Sequence, residues 1–130
     1  MDPLVKENDK LCKQIVAFRE RGKCFICGAP GTDLAHLYGR RYLATRWDTH
    51  RLGNCHILCR KDHAYVDEHL GGKAHYKQIL EKRAGTASAV ERIASRRLKS
   101  FPGLERKAFV LSENARLKQE LKDIQEKRDG

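Results

Sequence analysis

Along residues 3–21 the polar background is broken by Leu11, Ile15 and Phe18 at i, i+4, i+7 spacing. This pattern predicts an amphipathic helix that ends at Gly22. Cys12 follows Leu11 and reads as a packed thiol rather than a ligand. From Cys24 to about Trp47 the helical period disappears, and "CGAPGTD" followed by "LAHLYGRRYL" predicts a knuckle turn and then short strands or a loop. Regular helix is least expected there. The period returns after Cys59: "RKDHAYVDEHLG" predicts a short helix stopped by Gly71 and Gly72, and "KAHYKQILEKRAG" another that stops at Gly85.

Residues 86–100 predict a basic helix with a thin apolar stripe through Val90 and Ile93, and "FPG" at 101–103 turns the chain. The last helix is expected from Ser112, placed as an N-cap, to about Lys127, with Leu117, Leu121 and Ile124 on one face. That stripe needs a partner. It can dock on the chain's own first helix or pair with a second copy as a short coiled coil, which at this length is marginal alone.

With 130 residues the chain has room for one modest core. The patterns divide it into an N-terminal amphipathic helix (1–22), a metal-binding core (23–85) and a basic helical extension (86–130), mostly helical overall, in an α+β class with few strands. Charge changes the functional picture: 27 Lys and Arg against 17 Asp and Glu give +10 and a pI near 9.6. A polyanion is the natural partner, nucleic acid foremost, although a ribosomal or membrane-surface role would need the same charge. No apolar run is long enough to span a bilayer and no secretory signal opens the chain, so a soluble, cytoplasmic protein is expected.

Five cysteines, with Cys24 and Cys27 in a C-x-x-C knuckle, point to metal or redox chemistry. A thioredoxin-type site would place this motif at a helix start, whereas Gly28, Pro30 and Gly31 follow and break any helix. Metal is favoured. All six histidines lie between positions 36 and 75, and four of the cysteines between 24 and 59. A structural zinc takes two rigid pairs of ligands from different segments. Cys24 and Cys27 form the first pair. The second is Cys59 with Asp62, His56 with Cys59, or Cys55 with Cys59. His36, Asn54 and His63 are left over from that site, while His50, His69 and His75 read as surface or packing residues.

"KCFICG" at 23–28, "DLAH" at 33–36, "TRWD" at 45–48 and "NCHILCRKDH" at 54–63, in that order and spacing, resemble the HNH (ββα-metal, treble-clef) nucleases. The likeness is closest to the phage recombination endonucleases of the NinG/Rap type, and it covers roughly residues 10–85. It implies a zinc-stapled treble-clef core with flanking N- and C-terminal helices. His36 then matches the strand histidine that takes a proton from the attacking water. Asn54 matches the asparagine that braces the loop holding that histidine, and His63 the helix ligand for a catalytic Mg2+ or Mn2+. Cys24, Cys27 and Cys59 match structural Zn2+ ligands, with Asp62 where the family has a last knuckle cysteine.

Two departures stand out. Ala35 occupies the position before the strand histidine, where many such sites carry an acidic residue or histidine. Asp62 replaces the last knuckle cysteine. Asp33, three residues before His36, has a counterpart in NinG-like chains, but it is a weaker metal-ligand candidate because strand alternation aims it to the opposite face from His36. The resemblance also implies DNA as the partner, branched recombination intermediates such as Holliday junctions or D-loops as substrates, and a bacteriophage source acting in the bacterial host cytoplasm. Cutting two opposed strands is easiest for a homodimer, which the C-terminal helical stripe can support.

The chemistry alone leads to the same residues. Phosphodiester hydrolysis needs a base, a Lewis acid and cations along the backbone. His36, a His63-held ion, and Arg40, Arg41 and Arg46 are the candidates. The competing expectation is a zinc-stapled DNA-binding module without catalysis, which Ala35 favours.

Overall fold

The computed structural model describes residues 2–129. Its helices are α1 (Pro3–Arg19), α2 (Leu43–Arg46), α3 (Arg60–Glu68), α4 (Gly72–Ala84), α5 (Ser88–Arg96) and α6 (Leu104–Asp129), with two strands, β1 (Asp33–His36) and β2 (Cys55–Leu58). The fold is thus mostly helical, with one small sheet.

Asp2 starts α1 by accepting the Leu4 amide at 2.8 Å, and Pro3 occupies the first turn, where no intrahelical amide bond is lost. At the far end Gly22, with φ +66°, donates to the Ala17 carbonyl at 3.0 Å and closes the helix, a conformation open to glycine without strain. The buried face runs through Val5, Asn8, Cys12, Ile15 and Val16. It is rotated from the expected stripe: Leu11 lies at its edge and Phe18 is 37% exposed. Cys12 is fully buried, as a packed thiol should be.

That rotation follows from what covers α1. The long α6 lies along it, burying Val110 and Leu117 and half-burying Leu121 and Ile124 against the same cluster. The C-terminal stripe therefore docks within the chain, and pairing of that stripe with a second copy is not what this packing uses. Two buried asparagines fix the register: Asn8 Nδ2 donates to the Val110 carbonyl at 3.1 Å, and Asn114 Nδ2 to Asn8 Oδ1 at 2.8 Å. Only one axial alignment satisfies both amides, and a slip would strand them without water.

α6 begins eight residues earlier than expected, so Ser112 is an exposed mid-helix residue and not an N-cap. After the Gly103 turn nothing in "LERKAFVL" breaks a helix, and Phe109 gains a stack on Trp47 (6.2 Å between centroids) and on Phe101 (4.1 Å). A single helical turn, α2, likewise forms in the 24–47 segment, where helix was least expected; it buries Leu43, Ala44 and Thr45.

The strands pair antiparallel, from Asp33 opposite Leu58 to His36 opposite Cys55. All four residues of β2 are buried because apolar layers cover both faces. Cys55 and Ile57 join α1, Trp47 and α6, while Leu58 joins Phe25, Val66, Tyr76, Leu80, Val90 and Ile93 from α3, α4, α5 and the preceding loop. The end of α1 is tied to the sheet by the Glu20 carboxylate, which accepts the Ile57 amide at 2.8 Å. α3 and α4 meet at Gly72, where a Cβ would fall 2.2 Å from the Tyr65 carbonyl oxygen, so only glycine allows the corner. No described helix is long and apolar enough to cross a membrane.

Leu117→Ala should lower unfolding stability by about 2–5 kcal/mol through the cavity it leaves. Ser112→Ala should change it by less than about 0.5 kcal/mol, because no cap is lost. Urea titrations of the two variants check both values, and a loss of about 1 kcal/mol in Ser112→Ala would restore the capping role.

Candidate metal centre and adjoining cleft

The knuckle is a tight turn in which Cys24 donates its amide to Ala29 at 2.7 Å and Gly28 donates to Cys24 at 2.9 Å. Phe25 anchors it to the sheet by donating to the Ile57 carbonyl at 2.8 Å. The second half of the site is the start of α3, where Cys59 caps the helix and its Sγ accepts the Asp62 amide at 3.4 Å. A helix N-terminus is a favourable place for anionic ligands.

The Sγ atoms of Cys24, Cys27 and Cys59 and a carboxylate oxygen of Asp62 all lie within 4.8 Å of one another. Cys27 and Cys59 sulfurs are 3.8 Å apart, and Cys24 Sγ is 3.2 Å from Asp62 Oδ2. Tetrahedral zinc with bonds of about 2.3 Å to sulfur separates its thiolates by about 3.8 Å. The four donors can hold a metal ion and fit a structural zinc. Among the described residues this is the one such group.

Electrostatics agrees. Burial pushes the Cys24 thiol up. The Ala29 amide favours the Cys27 thiolate, yet Asp62 and the neighbouring sulfurs push it up to about 12. Asp62 is raised by partial burial but falls below the usual carboxylate range because Cys27, Cys24 and Cys59 donate to it. Without a cation, then, Cys24 and Cys27 hold their protons, and a metal binds by displacing them.

The other two candidate ligands lie elsewhere. His56 is fully buried, stacked on Phe25 at 3.9 Å between ring centroids. Its Nε2 is 3.1 Å from the Arg51 carbonyl and Nδ1 is 2.5 Å from the Tyr76 hydroxyl, so both nitrogens are engaged. Cys55 is fully buried against the first core, its Sγ 3.4 Å from the Arg46 carbonyl. Neither reaches the cluster, and both are corrected to packing residues. Alternation along β2 sends Cys55 to one layer and His56 to the other, away from the strand's C-terminal end where Cys59 sits.

A cleft of about 290 Å³ opens beside the unpaired edge of β1. That volume holds a phosphate group with several waters, at about 30 Å³ per water. His36 and His63 both line it. His36 Nε2 is 3.0 Å from the Arg46 carbonyl oxygen, which can only accept, so Nε2 carries the ring proton and Nδ1 keeps a free lone pair. Burial drives His36 down to about 4, partly opposed by the Arg46 carbonyl. Lys73 Nζ donates to the His36 carbonyl at 2.6 Å and holds that backbone in place.

Asn54 is fully buried and does what a brace should. Its Oδ1 accepts the Tyr38 amide at 2.8 Å, and its Nδ2 donates to the Tyr38 and Thr45 carbonyls at 2.8 and 3.1 Å. It closes the loop between the strands and touches no cleft surface. His63, on α3, faces two carboxylates: Nδ1 is 3.1 Å from Asp33 Oδ2 and Nε2 is 3.1 Å from Asp67 Oδ2.

Two expectations change here. Asp33 does not point away from His36; both line the cleft, because it runs along an exposed strand edge that side chains of either parity reach. Arg46 is not a free backbone contact. Its guanidinium pairs with both Asp9 oxygens (2.9 and 2.7 Å), while Trp47 Nε1 donates to the same carboxylate at 2.8 Å. Asp9 is raised by burial, but these donors hold it below the usual carboxylate range. Arg40 remains 62% exposed at the cleft wall and Arg41 is exposed beside it.

The sequence pattern did not reveal Asp9 and Lys13, which bring α1 into the cleft wall, or the partners Asp67 and Lys73. For Asp67 the signal is its place four residues after His63 on one helix, an i, i+4 pair. Nothing local marks Asp9, whose partners lie 37 and 38 residues away.

Comparison with known proteins finds no matching family and no similar curated protein or solved structure.

Zinc titration of metal-free protein is expected to saturate at one ion per chain with release of protons and a higher Tm, and Asp62→Ala should weaken it at least about tenfold while Cys55→Ala does not. The reverse ranking would reassign the fourth ligand. Acid should unfold the zinc-saturated protein early. His36 and His56 have folded pKa values of about 4 and about 3, both driven down by burial. Their stabilising effect is therefore complete above the unfolded histidine value near 6.5 and is lost as pH falls toward 4. For His36 the loss is on the order of 3 kcal/mol. Urea midpoints measured from pH 7.5 to 5 should fall, and fall less in His36→Gln; a flat profile would contradict the burial argument.

Proposed function

We propose that this protein is a metal-dependent DNA endonuclease of the HNH type, built on a zinc-stapled treble-clef core. The observation that carries the reading is the pairing, in one cleft, of a neutral histidine with a free Nδ1 and a second histidine flanked by carboxylates. The order of knuckle, strand, strand and ligand-bearing helix supports it as well.

In this reading His36 Nδ1 takes the proton from the attacking water. Burial keeps the ring unprotonated at neutral pH, and a phosphate arriving beside it raises its pKa toward the range in which proton transfer is efficient. Asp33 and His63 would hold the catalytic Mg2+ or Mn2+. An oxygen and an imidazole ligand leave room for the water and phosphate oxygens such ions keep. When bound, the ion would polarise the scissile phosphate and neutralise charge on the leaving oxygen. Asp67 orients the His63 ring, Asn54 and Lys73 hold the His36 segment, and Lys13 and Arg40 attract the DNA backbone.

Branched DNA, such as a Holliday junction or D-loop, is the proposed substrate, with a phage source and a host-cytoplasmic setting; these rest on the likeness to NinG/Rap-type endonucleases. Cutting two opposed strands is easiest for a dimer. Because Leu117, Leu121 and Ile124 already pack on α1, a dimer would use a different face of α6.

A second reading, a zinc-stapled DNA-binding module without catalysis, is favoured by two observations. Ala35 is buried and offers no ligand, and Asp33 and Asp67 approach opposite nitrogens of His63 instead of converging on one point.

Incubation of a synthetic four-way junction and a linear duplex of the same sequence with Mg2+ or Mn2+ separates the two. The wild type should cut the junction, and His36→Ala should bind it but cut at least about 100-fold more slowly. Binding by both proteins with no cleavage by either would replace the nuclease with the binding module.

A further inference from the structure

Beyond the cleft, the loop after β1 builds a cationic strip of which only Arg41 has been given a role above. Tyr38 and Tyr42 stand edge to face, 6.4 Å between ring centroids. The Arg97 guanidinium, from the turn after α5, lies 4.6 Å from the Tyr38 centroid and 5.4 Å from that of Tyr42. Lys77 of α4 lies 5.0 Å from the Tyr38 centroid, and Arg41 lies 4.7 Å from that of Tyr42 while donating to its hydroxyl at 2.7 Å. Each ring thus carries two cations, which such faces attract.

Like charges gather at a cost unless something compensates, and here no carboxylate does. Among the described residues, Arg41, Lys77 and Arg97 have no acidic oxygen within 4.0 Å. Other basic grooves differ: the one holding Arg92 and Arg96 includes Asp48, the one holding Arg51 and Arg83 includes Glu20, and in the one beside Phe18 and Ile124 Arg19 pairs with Glu20 and Arg128 with Asp129. The strip's own guanidiniums, Arg41 first and then Arg97, hold the Tyr42 phenol below its usual range. The strip is continuous with the cleft, since Arg41 follows Arg40 of the cleft wall.

We propose that Arg41, Lys77 and Arg97, held on the Tyr38 and Tyr42 rings, form the surface that tracks a DNA phosphate backbone away from the cleft. Because the rings are already occupied by cations, they act as scaffold and not as platforms for stacked bases. Recognition is therefore of duplex phosphates and independent of sequence, with affinity set by counterion release. This inference rests on DNA as the partner, as in the reading above, but not on catalysis.

Binding of a short labelled duplex, measured by fluorescence anisotropy across a salt series without added divalent ion, tests it. Arg41→Ala/Lys77→Ala should bind about tenfold or more weakly at physiological salt. Its slope of log Kd against log salt should fall by about 2, at about 0.9 for each phosphate no longer neutralised. Arg106→Ala/Lys107→Ala, in the separate groove beside Asp2 and Leu4, serves as the control, with equal Tm confirming that both variants fold. Unchanged affinity and slope in the first variant, equal losses in both, or no duplex binding by the wild type overturns the proposal. So does a loss seen only on phosphatidylserine vesicles. A wild type that binds through the strip yet never cuts sinks the nuclease reading alone, and one that cuts while the first variant binds normally sinks the strip alone.

Discussion

The close approach of three thiols and one carboxylate is the constraint on which the middle of this molecule depends. A ribbon of two four-residue strands is too small to be stable by its own pairing. The knuckle before it and the helix after it are attached by one backbone hydrogen bond, by apolar contacts of Phe25 and Val66, and by the Cys24, Cys27, Cys59 and Asp62 cluster. Four potential anions so near one another repel unless protons or a cation intervene. The same four groups that weaken the segment when ionised alone become its strongest tie around a metal, which couples loading to folding.

The cleft inherits its shape from that tie. α3 starts at Cys59 and carries His63 one turn later, so the cluster sets where the imidazole stands relative to β1. From the other side, Asn54 closes the loop that brings the Arg46 carbonyl to His36, and Asp9 holds the Arg46 side chain against α1. Two histidines on different elements are thus positioned by buried polar groups whose own hydrogen bonds are satisfied, which is how a small chain makes a rigid site.

Much of this was legible from one dimension. Cys24, Cys27 and Cys59 are recognisable because tetrahedral coordination needs short-spaced pairs, and Gly22 and Gly85 mark helix ends because they free the backbone there. The start of α6 was not legible: Ser112 is a good cap by type, but Phe109 and Val110 before it find tertiary partners that extend the helix. Nor could the fourth ligand be separated from His56 and Cys55 by spacing, since which layer of the sheet a residue joins depends on the pairing register. Asp33 was misread for a related reason: alternation describes faces, whereas this cleft lies at an edge.

The pairing of α1 with α6 has a consequence in time. The Asn8 to Asn114 hydrogen bond joins residues 106 positions apart, so α1 is completed by a helix made long after it. Contacts of such span raise contact order and form late. During synthesis α1 leaves the ribosome with Val5, Cys12 and Ile15 uncovered, and the core that seats Trp47 beside Asp9 and Arg46 closes only when residues 104–129 have emerged. The four-ligand cluster can gather its ligands by residue 62, but α1, which carries Asp9 and Lys13 of the neighbouring cleft, has its buried face covered only when α6 docks. Assembly is therefore ordered, with the metal site able to form on the nascent polypeptide and the cleft finished only after the last helix is free to dock.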